Sequence, residues 1–290
     1  MVQQKYDISV CMITYNHEKF IRKAIESIFD QEFYGLLEFI ICDDNSSDRT
    51  NNEILKLKNN SPYNVTVKHF RHKKNIGVME NLKFAINQCS GKYIAYCEGD
   101  DFWTDKDKLK IQFDFLNKNL KYSVVFGNSN IVDDLGKEIS PYKLDKKFQR
   151  DYSYEEMVKA PFINTLTMLF RNEINKKILG SVDKRIINGD VILFSLLAPF
   201  GGAKYLDFSF GSYRKHSGGV WSEKNKEYRL YNSMNARLEV FRIVDKQFKS
   251  IAEKAYWYSI LDYINHSNFF IVKYFVYRFF FFYLNKFRYG

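Results

Sequence analysis

The chain has 290 residues, of which 46% are hydrophobic, enough to bury one large core or two modest ones. Only four prolines occur, and no uncharged apolar run reaches about 18 residues, which excludes long extended linkers and an ordinary membrane-spanning helix. Lys and Arg outnumber Asp and Glu by 44 to 34, and the net charge of +10 favours anionic partners such as nucleotide phosphates, nucleic acid or an anionic membrane surface.

Short apolar runs alternate with helical patterns in the first third of the chain. The runs predict buried strands, and the helical spacing of apolar residues between them predicts helices. The predicted strands are 8–13, 39–42, 64–70 and 92–97, and the predicted helices are 18–29, 51–57 and 81–89. Strands that alternate with helices form right-handed βαβ units, so we expect an α/β fold with a mostly parallel, Rossmann-like sheet flanked by helices.

The pattern is less regular beyond residue 101. The predicted elements are helix 109–117, strand 123–127, a polar loop at 133–160 with a short helix at 154–158, strand 165–170, buried helix 191–197 and strand 203–208. From residue 227 onward the periodicity is helical, broadly over 227–248 and from 250 to the end. The sequence therefore predicts an α/β domain at 1–222 and a C-terminal helical extension at 223–290.

The cysteines predict a reducing compartment. The four of them show no C-x-x-C spacing, and three lie within strand-like runs, where cysteine behaves as a small buried hydrophobe. The polar segment before residue 8 is too short for a signal peptide. We therefore expect a cytoplasmic protein rather than a disulfide scaffold.

Polar clusters follow three of the predicted strands, at 14–16, 43–46 and 98–101. Parallel strands bring their carboxyl ends to one edge of the sheet, where open α/β sheets bind ligands. The carboxylates at 98–101 repel one another unless a cation lies between them, and Mg²⁺ or Mn²⁺ takes oxygen ligands while leaving positions for phosphates. No glycine-rich loop follows the first strand, which argues against a dinucleotide oxidoreductase or a P-loop enzyme. Residues 43–48 alone also fit a turn and a helix N-cap.

Four segments, taken in their order and spacing, resemble the inverting family 2 glycosyltransferases with a GT-A fold. They are 8–16, 41–48, 75–77 and 91–101. The resemblance implies transfer of a sugar, with inversion, from a nucleotide sugar of the UDP class to a hydroxyl of a glycan or a lipid-linked acceptor. It also implies a role in bacterial surface polysaccharide or lipo-oligosaccharide synthesis. The resemblance is strong up to about residue 105 and weaker up to residue 222.

The same resemblance implies a nucleotide site and a metal site for Mn²⁺ or Mg²⁺. The implied nucleotide-binding residues are Thr14, Tyr15, Asn16, Asp43, Asp44, Asn75, Asp100 and Arg214. The implied metal ligands are Glu98, Asp100, Asp101 and His216. The first position of the family's D-x-D element is here Glu98, which leaves open which acid binds the metal. We expect Asp101 to bind the metal and Asp100 to bind the ribose or to share both roles. The turn at 75–77 equally fits a basic surface turn.

Asp190 is the candidate general base that an inverting transfer needs for the acceptor hydroxyl. It lies just before a strongly apolar helix, and it resembles the acid that opens a helix below the donor sugar in the family. The alternative is that Asp190 is simply an N-cap of that helix. With the resemblance, we favour catalysis.

The segment 214–219 resembles a late segment of the family that closes over the diphosphate. There, Arg214 offsets phosphate charge, and His216 binds the metal or a phosphate. A structural or solvated histidine is the alternative for His216.

The tail at 266–290 carries basic residues and many aromatic rings but no acids. It is too interrupted to span a bilayer but suits a membrane interface, so peripheral contact with the inner face of the plasma membrane is one expectation. A helix packed on the catalytic domain or in a dimer interface is the alternative.

Two other classes remain open from the sequence. A sugar-1-phosphate nucleotidyltransferase also uses an α/β sheet and a metal, although it would usually need a glycine-rich basic loop after the first strand. A non-catalytic nucleotide-binding module is the non-enzymatic alternative. We expect no nucleic-acid partner, because acids rather than Lys, Arg and aromatic residues cluster at the predicted strand ends.

Overall fold

The computed structural model describes residues 5–221 and 224–266 of the chain. Within these residues the strands are β1 (Ile8–Thr14), β2 (Leu37–Asp43), β3 (Val65–Arg71), β4 (Tyr93–Tyr96), β5 (Phe102–Trp103), β6 (Tyr122–Val132), β7 (Glu138–Ser140), β8 (Leu169–Arg171) and β9 (Gly202–Arg214). The helices are α1 (Ile21–Phe29), α2 (Thr50–Leu57), α3 (Val78–Gln88), α4 (Lys108–Lys118), α5 (Tyr154–Val158), α6 (Lys176–Ser181), α7 (Gly189–Leu197), α8 (Lys226–Ile243) and α9 (Lys249–His266).

The strands of the described residues form one sheet in the order β3-β2-β1-β4-β8-β6-β9-β5, with β7 paired to β6. Adjacent strands within the segment β3-β2-β1-β4 of the sheet are parallel to one another, as the alternation of strands and helices predicts. β8 runs antiparallel between β4 and β6, and β9 is parallel to β6. The parallel part of the sheet therefore contains β1, β2 and β4, the three strands that are followed by polar clusters.

Both faces of the parallel strands are covered, which explains why these strands are apolar at nearly every position. Ile8, Val10 and Met12 of β1 belong to one core, which includes the buried face of α1. Cys11 and Ile13 point to the opposite face and join the core under α3 and α7. This two-sided packing holds the carboxyl ends of the strands in a defined position.

Three predicted elements differ from the observed ones. The segment 165–170 is a short 3₁₀ turn (Thr165–Thr167) before β8, because Thr167 Oγ1 bonds to the carbonyls of Asn164 and Gly127. The predicted strand 203–208 continues to Arg214, where it pairs with β6 and β5. The predicted loop at 133–160 contains β7. Pairing with distant strands, which local periodicity does not report, produces the latter two differences.

The C-terminal helices α8 and α9 pack on the α/β body. Val240 of α8, Ala252 of α9 and Phe248 in the turn between these helices belong to the same core as Phe126 of β6 and Leu193 of α7. The domain boundary at residue 222 remains a prediction, and most of the segment 266–290 lies outside the described residues. No helix in the part of the chain that the structure describes has the length and apolar character to cross a membrane.

A buried acid ties the parallel strands together at the end opposite the polar clusters. Glu38 of β2 is fully buried and accepts hydrogen bonds from Lys68 Nζ at 2.7 Å and from Ser90 Oγ at 2.9 Å, as well as from Ser9 Oγ. Burial alone would raise the pKa of Glu38, but these hydrogen bonds outweigh it and lower the pKa below the usual range. Glu38 is therefore an ionised anchor between β1, β2, β3 and the turn before β4.

Candidate active site

The three polar clusters meet at the carboxyl edge of the parallel strands, as expected from the sequence. The backbone N–H of Asp44 donates to the carbonyl of Thr14 at 3.0 Å, and that of Gly99 donates to the carbonyl of Ile13 at 3.1 Å. Gly99 must be a glycine here, because a Cβ at this position would lie 2.5 Å from Thr14 Oγ1. The acidic segment therefore lies directly against the end of β1.

Asp100 lies between two histidines. Its Oδ2 is 3.0 Å from Nε2 of His216 and 3.7 Å from Nε2 of His17. One candidate ligand atom of each of these residues lies within 4.8 Å of the others, and this set is the group of described residues that could hold a metal ion. We call His17, Asp100 and His216 the metal-ligand group. Two imidazole nitrogens and a carboxylate oxygen form a mixed donor set that suits a divalent transition metal.

Neighbouring side chains hold the two imidazoles in place. Nδ1 of His17 lies 3.1 Å from Thr14 Oγ1, which leaves Nε2 facing Asp100. The ring of His216 packs against Phe20 with 4.7 Å between ring centroids and meets the His17 ring edge-on. Burial alone would raise the pKa of Asp100, but the two imidazoles outweigh it and lower the pKa to about 2. Asp100 is therefore an ionised carboxylate.

Asp101 is not part of the metal-ligand group. It is 1% exposed, its Oδ1 accepts the backbone N–H of Arg214 at 2.7 Å, and its Oδ2 has no hydrogen-bond partner. Burial, followed by the nearby Asp100 and Glu98, raises the pKa of Asp101 well above its usual range. The structure therefore places Asp101 against the end of β9, and Asp100 rather than Asp101 in the group that could bind a metal.

Arg214 fastens the acidic segment to the loop after β6. Its Nε donates to the carbonyl of Asp100, and its Nη1 donates to the carbonyls of Asp133 and Asp134, each at 3.0 Å. Its guanidinium also lies over the Phe20 ring, with 4.7 Å to the centroid. Arg214 therefore lies at the site, as the sequence predicts, but these contacts use its donors to position the backbone.

Glu98 belongs to a second electrostatic group beside the first. Burial and the nearby Asp100 raise the pKa of Glu98 to about 7, while Lys143 acts in the opposite direction. Lys143 interacts electrostatically with Glu98, Asp101 and Asp190, and its ammonium group lies 3.5 Å from the centroid of the Tyr213 ring. Lys143 is thus a cation among the site acids that sequence reasoning does not identify.

Asp190 lies in the first turn of α7 and is half-buried. Asn188, not Asp190, occupies the N-cap position, and its side chain makes no capping hydrogen bond. Burial raises the pKa of Asp190, whereas the N–H of Val191 and the cations Lys143 and Arg237 lower it. Asp190 therefore shares the site's electrostatic environment, although it is not a capping residue.

The predicted nucleotide-binding residues divide into two kinds. Asp44 is buried, and its carboxylate accepts the N–H groups of Ile76 at 2.7 Å and Gly77 at 2.9 Å. It therefore fixes the 75–77 turn at the sheet edge. Asn16 has a positive φ of 56° and bonds through its Oδ1 to the N–H of Ser47. The Asp44 carboxylate and the Asn16 side-chain oxygen therefore hold the loops around the site through bonds to backbone N–H groups.

Three other residues of this region offer polar atoms or an exposed surface. Tyr15 is 45% exposed, and Asn75 is exposed at the tip of its turn. Asp43 accepts the N–H of Ser46, while its Oδ2 has no hydrogen-bond partner and lies 3.5 Å from Nε of Arg71. The buried Asp43 and Arg71 thus form an ion pair at the adjacent ends of β2 and β3.

Sequence reasoning missed three residues of this site, His17, Arg71 and Lys143. A signal existed for His17, which follows Thr14 by three residues in the turn after the first strand. Arg71 ends β3, beside the end of β2, because β2 and β3 pair in parallel register with Asp43 opposite Arg71. No local signal marks Lys143, which the loop after β7 carries to the acids.

Comparison with known proteins identifies the protein family to which this fold and this site belong. Residues 9–179, more than half of the chain, match the model of Glycosyl transferase family 2. The chain therefore belongs to glycosyl transferase family 2, which confirms the resemblance found in the sequence.

Its relatives include proteins of stated and of unstated function. An uncharacterized protein of Mycobacterium bovis is 28% identical over 224 residues, covering 77% of this chain and 63% of the relative. The GalNAc(5)-diNAcBac-PP-undecaprenol beta-1,3-glucosyltransferase of Campylobacter jejuni is 27% identical over 259 residues, covering 86% of this chain and 77% of the relative. For the mycobacterial relatives, the match covers 63% of their length, so this chain spans less than two thirds of these first curated relatives.

Among solved structures, S. aureus TarS in complex with UDP-GlcNAc has a TM-score of 0.65 to this chain at 17% identity. The similarity covers 90% of this chain and 73% of that solved chain, which is TarS 1-349. The predicted α/β fold of GT-A type is therefore confirmed.

Proposed function

We propose that this chain transfers a sugar, with inversion, from a nucleotide sugar to a hydroxyl of a saccharide acceptor, with the help of a divalent cation. The observation that carries the proposal is the metal-ligand group of His17, Asp100 and His216 at the carboxyl edge of the sheet. This position is where α/β sheets bind ligands, and the ion pair of Asp43 and Arg71, where we place the nucleoside, lies at the ends of β2 and β3 on the same edge. Family membership supports the same activity.

The donor set favours Mn²⁺ over Mg²⁺. Imidazole nitrogens are borderline ligands that suit transition metals, whereas Mg²⁺ prefers oxygen ligands and retained water. When bound, the ion would neutralise charge that develops on the leaving nucleoside diphosphate. The chain's own contribution is orientation: Thr14 sets which nitrogen of His17 faces the group, and Arg214 holds the backbone of Asp100.

UDP is the nucleotide that we propose for the donor. The solved neighbour TarS is described in complex with UDP-GlcNAc, and the Campylobacter relative is named a glucosyltransferase. In this chain, Asp43 Oδ2 can accept a hydrogen bond from a base N–H or a ribose hydroxyl, and the exposed Tyr15 ring can cover the base. Asn75 completes the rim of this nucleoside region.

Asp190 is the proposed general base. A raised pKa brings a carboxylate closer to the operating pH, where proton transfer from a hydroxyl is more favourable. Lys143 and Arg237 act in the opposite direction and limit this rise of the pKa. Asp190 would take the proton of the acceptor hydroxyl as that oxygen attacks the anomeric carbon and the bond to the diphosphate breaks.

The acceptor that we propose is a glycan or a lipid-linked saccharide in surface polysaccharide synthesis. The name of the Campylobacter relative describes a saccharide linked to undecaprenol through a diphosphate. Peripheral contact of 266–290 with the inner face of the plasma membrane would bring a cytoplasmic enzyme to such an acceptor. Co-sedimentation with vesicles, with and without residues 267–290, tests this contact.

The activity is tested by measuring binding and hydrolysis of UDP-, GDP- and dTDP-sugars with and without Mn²⁺. Wild type is compared with Asp100→Asn, Asp190→Asn and, as a control, Asp114→Asn, which changes an exposed acid of α4. We expect Asp100→Asn to lose metal-dependent binding, Asp190→Asn to bind the donor without turnover, and Asp114→Asn to resemble wild type. Absence of binding to every nucleotide sugar would refute the proposal. Formation of a nucleotide sugar and diphosphate from UTP and a sugar 1-phosphate would instead identify a nucleotidyltransferase.

A further inference from the structure

A cavity of ≈ 430 Å³, lined by charged, hydroxyl and apolar side chains, lies between α8, α9 and the end of α5, outside the strand-edge site. Three cations from three different elements line it: Lys159 after α5, Arg237 of α8 and Lys254 of α9. Asp262 is the carboxylate in the lining, so the cavity carries an excess of two positive charges. A cavity of this volume and charge suits a small dianionic ligand.

Hydroxyl groups complete the donor set of this cavity. Ser233 and Ser259 line it with the three cations, and Arg237 Nη1 contacts Ser233 Oγ. Arg, Lys and hydroxyl groups that line one cavity from different elements are donors that proteins use to bind the oxygens of a phosphate group. The chemistry of the lining therefore points to a phosphate or diphosphate.

Arg237 connects the cavity to the reaction centre. Arg237 is half-buried, and it interacts electrostatically with both Asp190 and Asp262. None of the residues that line the cavity belongs to the metal-ligand group or to the nucleoside region. A phosphate in the cavity would thus lie beside Arg237 of α8 and would be separate from the diphosphate of the donor.

We propose that this cavity binds the phosphate of a phosphorylated saccharide acceptor and places its sugar hydroxyl near Asp190. This assignment rests on the proposed glycosyl transfer, which supplies the need for an acceptor. The cavity would select acceptors that carry a phosphate or diphosphate over the same saccharides without one, because the excess positive charge has no counterpart on a neutral sugar.

Calorimetric titration of the full chain, saturated with UDP and Mn²⁺, tests the proposal with glucose 1-phosphate as the probe and glucose as its neutral counterpart. We expect glucose 1-phosphate to bind and glucose not to bind. The double variant Lys159→Gln/Lys254→Gln should weaken binding of glucose 1-phosphate about tenfold, since two charge-assisted contacts are lost. Lys246→Gln, in the exposed turn between α8 and α9 and outside the cavity, should leave it unchanged.

Retained UDP binding by the double variant shows that it is folded, and the single variant Lys159→Gln should give a smaller change in the same direction. Equal binding of glucose 1-phosphate by wild type and the double variant would overturn the proposal while leaving glycosyl transfer intact. Loss of phosphatidylglycerol-vesicle binding in the double variant, with unchanged affinity for glucose 1-phosphate, would assign the cavity to lipid headgroups and also overturn it. Failure of UDP to bind wild type would instead refute the proposed function.

Discussion

Thr14 and His17 face each other at the end of β1, where Thr14 Oγ1 lies 3.1 Å from Nδ1 of His17. This contact determines that Nε2 of His17 points to Asp100. A side chain that orients a metal-binding imidazole commonly matters almost as much as the ligand itself. The turn after β1 thus orients one imidazole of the metal-ligand group.

Thr14→Val should weaken Mn²⁺ binding about tenfold or more, because Val keeps the shape of Thr but cannot hold the imidazole. Titration of Mn²⁺ followed by electron paramagnetic resonance measures the free ion and hence the affinity. Thr104→Val, at an exposed threonine near the site, is the matched control and should bind Mn²⁺ like wild type. Equal affinities in the two variants would contradict a positioning role for Thr14.

Asp100→Asn and Asp101→Asn should behave differently although the residues are neighbours. Asp100→Asn removes a charged ligand and should lower Mn²⁺ affinity at least about tenfold. Asp101→Asn should change it by less than about threefold, because an amide oxygen can still accept the N–H of Arg214. If Asp101→Asn abolished Mn²⁺ binding and Asp100→Asn did not, the ligand assignment from the structure would be wrong.

Asp101→Leu should lower the free energy of unfolding by about 1–3 kcal/mol, because it leaves the buried N–H of Arg214 without an acceptor. Urea denaturation at neutral pH measures this change. Asp101→Asn serves as the comparison and should lose much less stability. A similar loss in both variants would indicate that the hydrogen bond to Arg214 is not the reason.

The acid limb of the pH dependence of kcat/KM should lie above the ordinary aspartate pKa of about 3.9, because burial raises the pKa of Asp190. Activity requires the deprotonated carboxylate and is therefore lost as the pH falls through this raised value. The charged groups that act on Asp190 are Lys143, Arg237 and Glu98. Lys143→Met removes a cation that lowers the pKa of Asp190, so it should move the acid limb to higher pH. An unchanged or lower limb in Lys143→Met would contradict this assignment.

Glu38→Gln should lower the free energy of unfolding by about 2–3 kcal/mol at neutral pH, since it removes a buried carboxylate from the donors of Ser9, Lys68 and Ser90. The pKa of Glu38 is lowered in the folded protein, so its stabilisation is complete above the unfolded value of about 4.3 and is lost as the pH falls through the folded value. Urea midpoints at pH 7 and below pH ~4.3 measure both effects.

The Glu32→Gln variant is the control for Glu38→Gln, because Glu32 is exposed. It should change the urea midpoint little at either pH. The difference between wild type and Glu38→Gln should shrink in acid, where the carboxylate becomes protonated. A difference that grows as the pH falls would contradict the anchoring role.

The sequence was sufficient for the α/β architecture and for the edge at which the site forms. Continuous apolar runs such as 39–42 predict strands covered on both faces, and their alternation with helices predicts that these strands are parallel. Parallel strands end at one edge, so the clusters after β1, β2 and β4 had to meet there. The cluster that contains Asp100 was expected at this edge from the strand pattern, whereas Asp190 and His216 were proposed from the resemblance to the family.

Only the tertiary structure decided which acid faces which partner. Asp100 and Asp101 are adjacent in the chain but have different partners, because Asp100 contacts the two histidines whereas Asp101 accepts the N–H of Arg214, 113 residues away. His17 and Lys143 likewise join the site through loops that distant strands position. Such pairings depend on long-range contacts between chain segments, which neither periodicity nor local spacing encodes.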